Sequence, residues 1–331
     1  MNTLEDLQSL FEKEIILNGN LISFSKKPTT TYVNQKQTGQ IFSDKWTSLN
    51  SKENTKKLLE FNQTWFPILY GFKDETTLAE YLSSKNIIVD AGCGLGYKAE
   101  WMARLSPNSL VLGIDISDAV IQASQSYKTI PNLFFLQADI AETSMKNNSV
   151  DFMICDQVIM HTESPENTFK HLSAITKLNH EFACYVYSKK ALPRELLDDY
   201  FRKQTHHISN EEMWAFSEQL TVLGKTLSEL NVKFTSPEIP LLGIKGGEYD
   251  LQRFLYWNFL KCFWKEDWGQ ELSRATNYDW YAPSNATRFS EAEFKLMISK
   301  NHLSISYFHS EEACYSGRFK KISNENRIYR S

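Results

Sequence analysis

Four aspartates carry the first chemical signal in this chain, because each ends or follows an apolar run. Asp90 closes the run at 86–90, Asp115 the run at 110–115, Asp139 follows 133–137, and Asp156 follows 150–155. A short Ile/Val/Leu run bounded by turn residues reads as a buried strand. Carboxylates gathered at the ends of neighbouring strands make a place for a cation or for paired hydroxyls. After Asp90 stand Gly92, Gly94 and Gly96, which let the backbone turn sharply and approach a ligand closely. The combination reads as a cradle for a small molecule.

Two cofactors compete for such a cradle. The stretch GLGYKA at 94–99 satisfies the dinucleotide fingerprint with alanine in its last position, which would make the chain a nicotinamide oxidoreductase. Asp90 opposes that choice, because a negative charge at the strand end sits poorly beside a pyrophosphate and well beside a cation. S-adenosylmethionine has an ammonium and a sulfonium and no phosphate. Asp115, roughly 20 residues further on, could bind ribose in either case. It could also cap a helix starting at Ser117, as Asp139 could cap the turn at Glu142.

Taken together, VDAGCGLG at 89–96, GID at 113–115, QADI at 137–140 and VDFMICDQVIMH at 150–161 resemble the ordered motif series of class I S-adenosylmethionine-dependent methyltransferases. The resemblance is good over residues 85–190. It implies that Asp90 and Gly92, Gly94 and Gly96 hold the amino-acid end of the cofactor. By the same resemblance Asp115 holds the ribose, Asp139 with the backbone of Ile140 the adenine, and Asp156 with Gln157 the floor below the sulfonium, with Ile116 also counted among the cofactor-binding residues. One departure is LNHE at 178–181, where the family has a Pro-Gly-Gly turn before its fifth strand.

The alternation of strand and helix over 86–190 predicts an α/β fold built on a doubly wound, mostly parallel sheet. The resemblance makes that sheet seven-stranded. Residues 1–84 form an N-terminal extension packed on the cofactor domain: an amphipathic helix over 1–17, a polar extended piece or short hairpin over 18–45 with Pro28 in it, then aromatic helical pieces at 42–46 and 61–70. Residues 85–190 form the cofactor core. The block 191–289 reads as an inserted, mainly helical, aromatic-rich lid, with a Pro/Gly loop at 236–247, a helix over 250–268 and an aromatic loop at 277–283. Seven aromatics at 254–268 are too many for one helix face, so this helix is either buried on most sides or forms the wall of a pocket. Residues 290–331 would supply the helix and hairpin that complete the sheet.

Composition narrows the function classes. The 331 residues carry a formal net charge of -4, which offers no electrostatic footprint for nucleic acid. No apolar run approaches a membrane span, and the N-terminus lacks a signal pattern. Five scattered cysteines in apolar contexts fit a reduced, cytoplasmic protein, and no cysteine or histidine motif suggests a metal. His206 and His207 read as surface residues. Nothing in the sequence signals oligomeric state.

For catalysis, His161 is the candidate base, since a hydroxyl or ammonium acceptor must lose a proton when it gains a methyl. A histidine that only shapes the pocket is the plainer alternative. Tyr278, Trp280, Tyr281 and Arg288 are candidate acceptor contacts near the point where the chain re-enters the core. Arg194 and Arg253 are candidates for a carboxylate or phosphate on the acceptor. The expected activity is methyl transfer to a small or medium-sized metabolite, leaving S-adenosylhomocysteine. The alternatives are a cofactor-binding protein with non-methyl chemistry or a scaffolding role and, behind it, the oxidoreductase.

Overall fold

The computed structural model describes residues 3–25, 32–49, 51–205 and 207–323; Pro28 and His206 lie outside them. Helix α1 (Thr3–Ser9) leads to a hairpin, β1 (Ile15–Asn18) and β2 (Leu21–Phe24), and three helices follow: α2 (Val33–Ser48), α3 (Lys52–Tyr70) and α4 (Glu75–Ser83). The core then alternates β3 (Ile87–Ala91), α5 (Tyr97–Leu105), β4 (Leu110–Asp115), α6 (Ala119–Ser126), β5 (Leu133–Gln137), β6 (Val150–Cys155), α7 (Pro165–Ile175) and β7 (Thr176–Tyr187). The insertion holds α8 (Leu192–Thr205), α9 (Asn210–Glu229), a small hairpin of β8 (Lys233–Ser236) and β9 (Gly247–Asp250), α10 (Leu251–Asn258) and α11 (Gly269–Tyr281). Helix α12 (Glu291–Lys300), β10 (Leu303–Ser310) and β11 (Cys314–Lys321) return to the sheet.

Every residue of β4 and β6 is buried, which is why these runs are continuously apolar instead of alternating. Side chains such as Val89, Leu112 and Phe182 fill one face of the sheet, and Ile88, Val111 and Phe152 fill the other. The strand order is β1-β2-β5-β4-β3-β6-β7-β11-β10, parallel from β2 through β7 and antiparallel at both ends. Strand order reverses between β3 and β6, so the carboxyl ends of these strands frame the crevice where open α/β sheets bind ligands.

The sheet has nine strands where seven were expected. The two additions come from the N-terminal hairpin: Leu21 and Ile22 of β2 pair in parallel with Phe135 and Leu136 of β5. This occupies backbone groups that β5 would otherwise leave open at a sheet edge. Other expectations shift for local reasons. Residues 178–181 are not a turn but part of β7, accommodated by a register shift against β6 and by Asn179 at φ 66°.

The expected helix over 250–268 ends at Asn258, and residues 259–265 run irregularly against α9 and α11. Gly224 lets that segment in, since a Cβ there would lie 2.3 Å from the Cys262 carbonyl oxygen. Gln252 donates to the same carbonyl, while Asn277 accepts from the Phe263 amide and donates to its carbonyl. Residues 277–281, expected as a loop, are the last turn of α11.

Candidate active site

The glycine turn connects β3 to α5. The Gly94 amide donates to Asp115 Oδ2 at 2.7 Å, and the Ser117 amide and hydroxyl donate to Oδ1 at 2.8 and 2.6 Å. Asp115 thus braces the glycine turn from the end of β4 while lining a cavity of about 120 Å³ at the carboxyl ends of the strands. Burial pushes its carboxyl up, opposed by the Ser117 and Gly94 hydrogen bonds. Asp139 lines the same cavity and accepts from the Ala141 amide at 2.9 Å. Gly92, Ile116, Ile140, Asp156 and Gln157, which the sequence also placed at the cofactor, line it too.

Asp90, Gly94 and Gly96, expected at the cofactor, are not among the residues that line this cavity. Asp90 is fully buried, and neither carboxylate oxygen has a hydrogen-bond partner among the described residues. Burial pushes its carboxyl up to about 6, against the pull of Lys98. Gly94 has φ 53°, and a Cβ there would meet the Trp46 indole at 2.9 Å, so the glycine admits a ring from α2. Gly96, at φ 76°, is pressed against Phe135 and Ala123.

Lys98, in the first turn of α5, was not singled out by the sequence. Its ammonium donates to Asp156 Oδ2 at 2.6 Å, and the Tyr70 hydroxyl donates to Oδ1 at 2.7 Å, forming a buried floor under the strand ends. Burial pushes the Lys98 ammonium down, but Asp156 and Asp90 outweigh it and hold the group above its ordinary range. Gln157 follows with φ 65°, a left-handed conformation that a non-glycine residue adopts at a cost.

Helix α2 closes the cavity from above with Gln35, Thr38, Phe42, Lys45 and Trp46. It is fastened at both ends. Gln35 accepts from the Glu163 amide at 2.7 Å, and Lys45 pairs with Asp279 of α11 at 2.5 Å. The N-terminal segment therefore covers the site.

His161 lines this cavity and is buried. Its Nδ1 lies 2.8 Å from the Asn285 carbonyl oxygen, which can only accept, so Nδ1 carries the hydrogen. Nε2 is then the acceptor for the Tyr187 hydroxyl at 3.3 Å. Burial pulls the imidazole down to about 4, against the Asn285 hydrogen bond, so it is neutral near pH 7.

A second cavity of about 440 Å³ adjoins the first and shares Lys45, Trp46, Tyr97, Gln157, Tyr187 and Asp279 with it. Its far walls come from the insertion and α3. Tyr256, Trp257, Phe263 and Trp268 line it, as the aromatic density of 254–268 suggested, together with Arg194, Arg253 and Trp280. Three other candidates are placed elsewhere. Tyr278 stacks on Trp214 at 3.8 Å and donates to Asn210, Tyr281 donates to Asp198 at 2.7 Å, and Arg288 pairs with Glu195 and Asp199. These bonds knit the lid together. Trp280 shares that duty, since its indole N–H donates to Asp198 at 2.8 Å.

A family model described as a methyltransferase domain matches residues 82–275, more than half of the chain. The chain belongs to this methyltransferase family. Its fold is that of the class I enzymes, its methyltransferase domain is S-adenosylmethionine-dependent, and S-adenosylmethionine is the donor. Buried carboxylates around the glycine turn and the unpartnered Asp90 suit a ligand with cationic and hydroxyl groups better than one with a pyrophosphate.

The chain is 39% identical over 85 residues to a trans-aconitate 2-methyltransferase of Paracidovorax citrulli, covering 23% of this chain and 32% of that protein. It is 28% identical over 90 residues to a malonyl-[acyl-carrier protein] O-methyltransferase of Bacillus cereus, covering 26% and 33%. The matched stretch thus spans about a third of these relatives' length. Among solved structures, magnesium protoporphyrin IX methyltransferase of Synechocystis PCC 6803 with bound S-adenosylhomocysteine aligns over 86% of this chain and 95% of that one, at 17% identity and a TM-score of 0.45.

No helix among the described residues is long and apolar enough to cross a membrane. His309, Glu311 and Cys314, around the turn from β10 to β11, offer ligand atoms within 4.8 Å of one another, a grouping that no motif in the sequence announces.

Proposed function

We propose that the protein transfers the methyl group of S-adenosylmethionine to a small-molecule acceptor held in the second cavity. The observation that carries this reading is the common wall of the two cavities, where Tyr97, Gln157, Tyr187 and Asp279 face both. Methyl transfer is an in-line displacement, so alignment and exclusion of water are most of what a protein must supply. Two adjoining chambers under a helical lid provide both. When bound, S-adenosylmethionine supplies an electrophilic methyl group.

The residues assigned to that donor are Asp115 and Ile116 at the ribose, Asp139 and Ile140 at the adenine, and Asp156 and Gln157 below the sulfonium. Asp90, Gly92, Gly94 and Gly96 shape and charge the amino-acid end. For a hydroxyl or ammonium acceptor, His161 takes the departing proton through Tyr187, whose hydroxyl stands 3.3 Å from Nε2 on the cavity wall. The neutral imidazole, oriented by Asn285, is in the form that can accept it. The name of one relative, trans-aconitate 2-methyltransferase, supports a small free acceptor, and that of the other, a malonyl-[acyl-carrier protein] O-methyltransferase, a small acyl group. Five free, buried cysteines support a reducing, cytoplasmic setting.

The test is calorimetric titration of the full chain with S-adenosylmethionine, S-adenosylhomocysteine and NAD. Micromolar binding of the first two without the third is the expected outcome. Binding of NAD alone would turn the reading to the oxidoreductase. Binding of the sulfonium pair without methyl transfer to any offered metabolite would favour the scaffold.

A further inference from the structure

We propose, resting on the two-chamber reading above, that the acceptor is an anion: a small molecule whose carboxylate or phosphate sits among Lys190, Arg253 and Lys261 and whose flat body lies against the tryptophans of the lid. The second cavity is lined by six cationic side chains, Lys45, Lys190, Arg194, Arg253, Lys261 and Lys265, against one carboxylate, Asp279. Two of the six are already neutralised, Lys45 by Asp279 and Arg194 by Asp198. The other four form no ion pair among the described residues.

Lys261 is the sharpest case. It is only 6% exposed, its ammonium has no hydrogen-bond acceptor among the described residues, and it sits 4.4 Å over the Trp280 ring. Lys190 spends its donors on the Ser188 carbonyl and hydroxyl and the Ala313 carbonyl, all neutral. Among the described residues the Arg253 guanidinium donates only to the Trp264 carbonyl.

These cations arrive from different elements onto one ring. Arg194 of α8, Arg253 of α10 and Lys261 of the 259–265 segment lie 5.3, 5.5 and 5.8 Å from the centre of Tyr256. Aromatic faces attract cations, but like charges converging in a buried space repel, and each loses hydration. Burial accordingly pulls the Lys190 and Lys261 ammoniums down to about 7, with Arg194 adding to the pull on both.

A cluster with this balance is stabilised when a ligand brings the missing negative charge. The location suits an acceptor anchor: the Trp280 ring under Lys261 is 4.9 Å from the ring of Tyr187, at the junction with the donor chamber. An anion held there lies beside Tyr187, on the wall that the two chambers share. Trp257 and Trp268 line the same space and offer planar contact to an unsaturated or aromatic body.

The experiment uses the full chain loaded with S-adenosylhomocysteine and titrated with benzoate, phenyl phosphate and benzamide, which share one ring and differ in charge. The expected result is that at least one anion binds about tenfold or more tightly than benzamide, the preferred anion distinguishing a carboxylate from a phosphate acceptor. That preference should fall to within about twofold in Lys261→Met and in Arg253→Met, each of which keeps the apolar volume. Equal binding of the three probes, silence of all three, or an undiminished preference in both variants overturns the inference. Titration of the same samples with S-adenosylmethionine separates the two claims. An anion preference that persists in protein unable to bind the donor sinks the methyltransferase reading and leaves the anion site standing. Normal donor binding without anion preference does the reverse.

Discussion

The two chambers of this protein solve the same burial problem with opposite charge. The donor chamber draws its acids from strand ends, and most are satisfied internally: Asp115 by the Gly94 and Ser117 amides, Asp139 by the Ala141 amide, Asp156 by Lys98 and Tyr70. The proposed acceptor chamber draws Arg194, Arg253, Lys261 and Lys265 from the insertion, Lys45 from α2 and Lys190 from the segment after β7, and leaves four of the six resting on aromatic rings and carbonyls. A site whose charges are satisfied by its own backbone is rigid before its ligand arrives. One whose charges are unpaired depends on the ligand to complete it.

The sharpest way to break that contrast is to remove one partner from each chamber. Asp156→Ala strands the Lys98 ammonium and the Tyr70 hydroxyl in a buried floor and should cost about 3–5 kcal/mol of stability, read from urea unfolding. A loss below 1 kcal/mol would mean the floor is not a coupled unit.

Lys261→Met should act oppositely and raise the melting temperature of the ligand-free protein near pH 7. The sign follows from the depressed ammonium. The unfolded chain binds this proton up to its ordinary value near 10.5 and the folded chain only to about 7, so the stability cost grows as pH falls between those values. The advantage of the variant should therefore shrink as the melting series moves from pH 7 to pH 10. A variant less stable than the parent at pH 7 contradicts the unpaired state of Lys261.

Asp115→Ala should weaken S-adenosylmethionine binding by about 2 kcal/mol while leaving anion binding in the second chamber unchanged. Unchanged donor affinity in the folded variant removes the ribose assignment. The smallest expected effect on binding belongs to His161→Ala, which should leave donor affinity within about twofold yet lower turnover about 100-fold if a proton leaves the acceptor. Equal turnover would reduce His161 to the wall of the cavity.

These contrasts follow how each chamber is encoded. The donor side was legible because its residues are local: an apolar run, an acid at its end and three glycines within a few residues specify strand, site and turn together. Asp115, Asp139, Ile116, Ile140, Asp156 and Gln157 all reach the cavity for that reason. The N-terminal hairpin was only half readable: the expected helix over 1–17 ends at Ser9 and residues 15–17 are strand, and nothing in residues 15–24 names β5 as the partner. Lys98 escaped notice for a similar cause. A lysine in a first helical turn looks solvated until Asp156 and Tyr70 arrive from distant segments.

The sequence by itself determined the alternating apolar runs, the strand-end acids and the glycine turn, because strand burial and turn geometry act over a few residues. Only the tertiary structure decided which way the lid's polar side chains faced. Arg194, Trp280 and Tyr281 converge on Asp198 inside the lid, while Lys190, Arg253 and Lys261 meet around an open space. Spacing along the chain cannot separate a cation that has found a carboxylate from one that has not. That difference exists only when elements tens of residues apart are packed against one another.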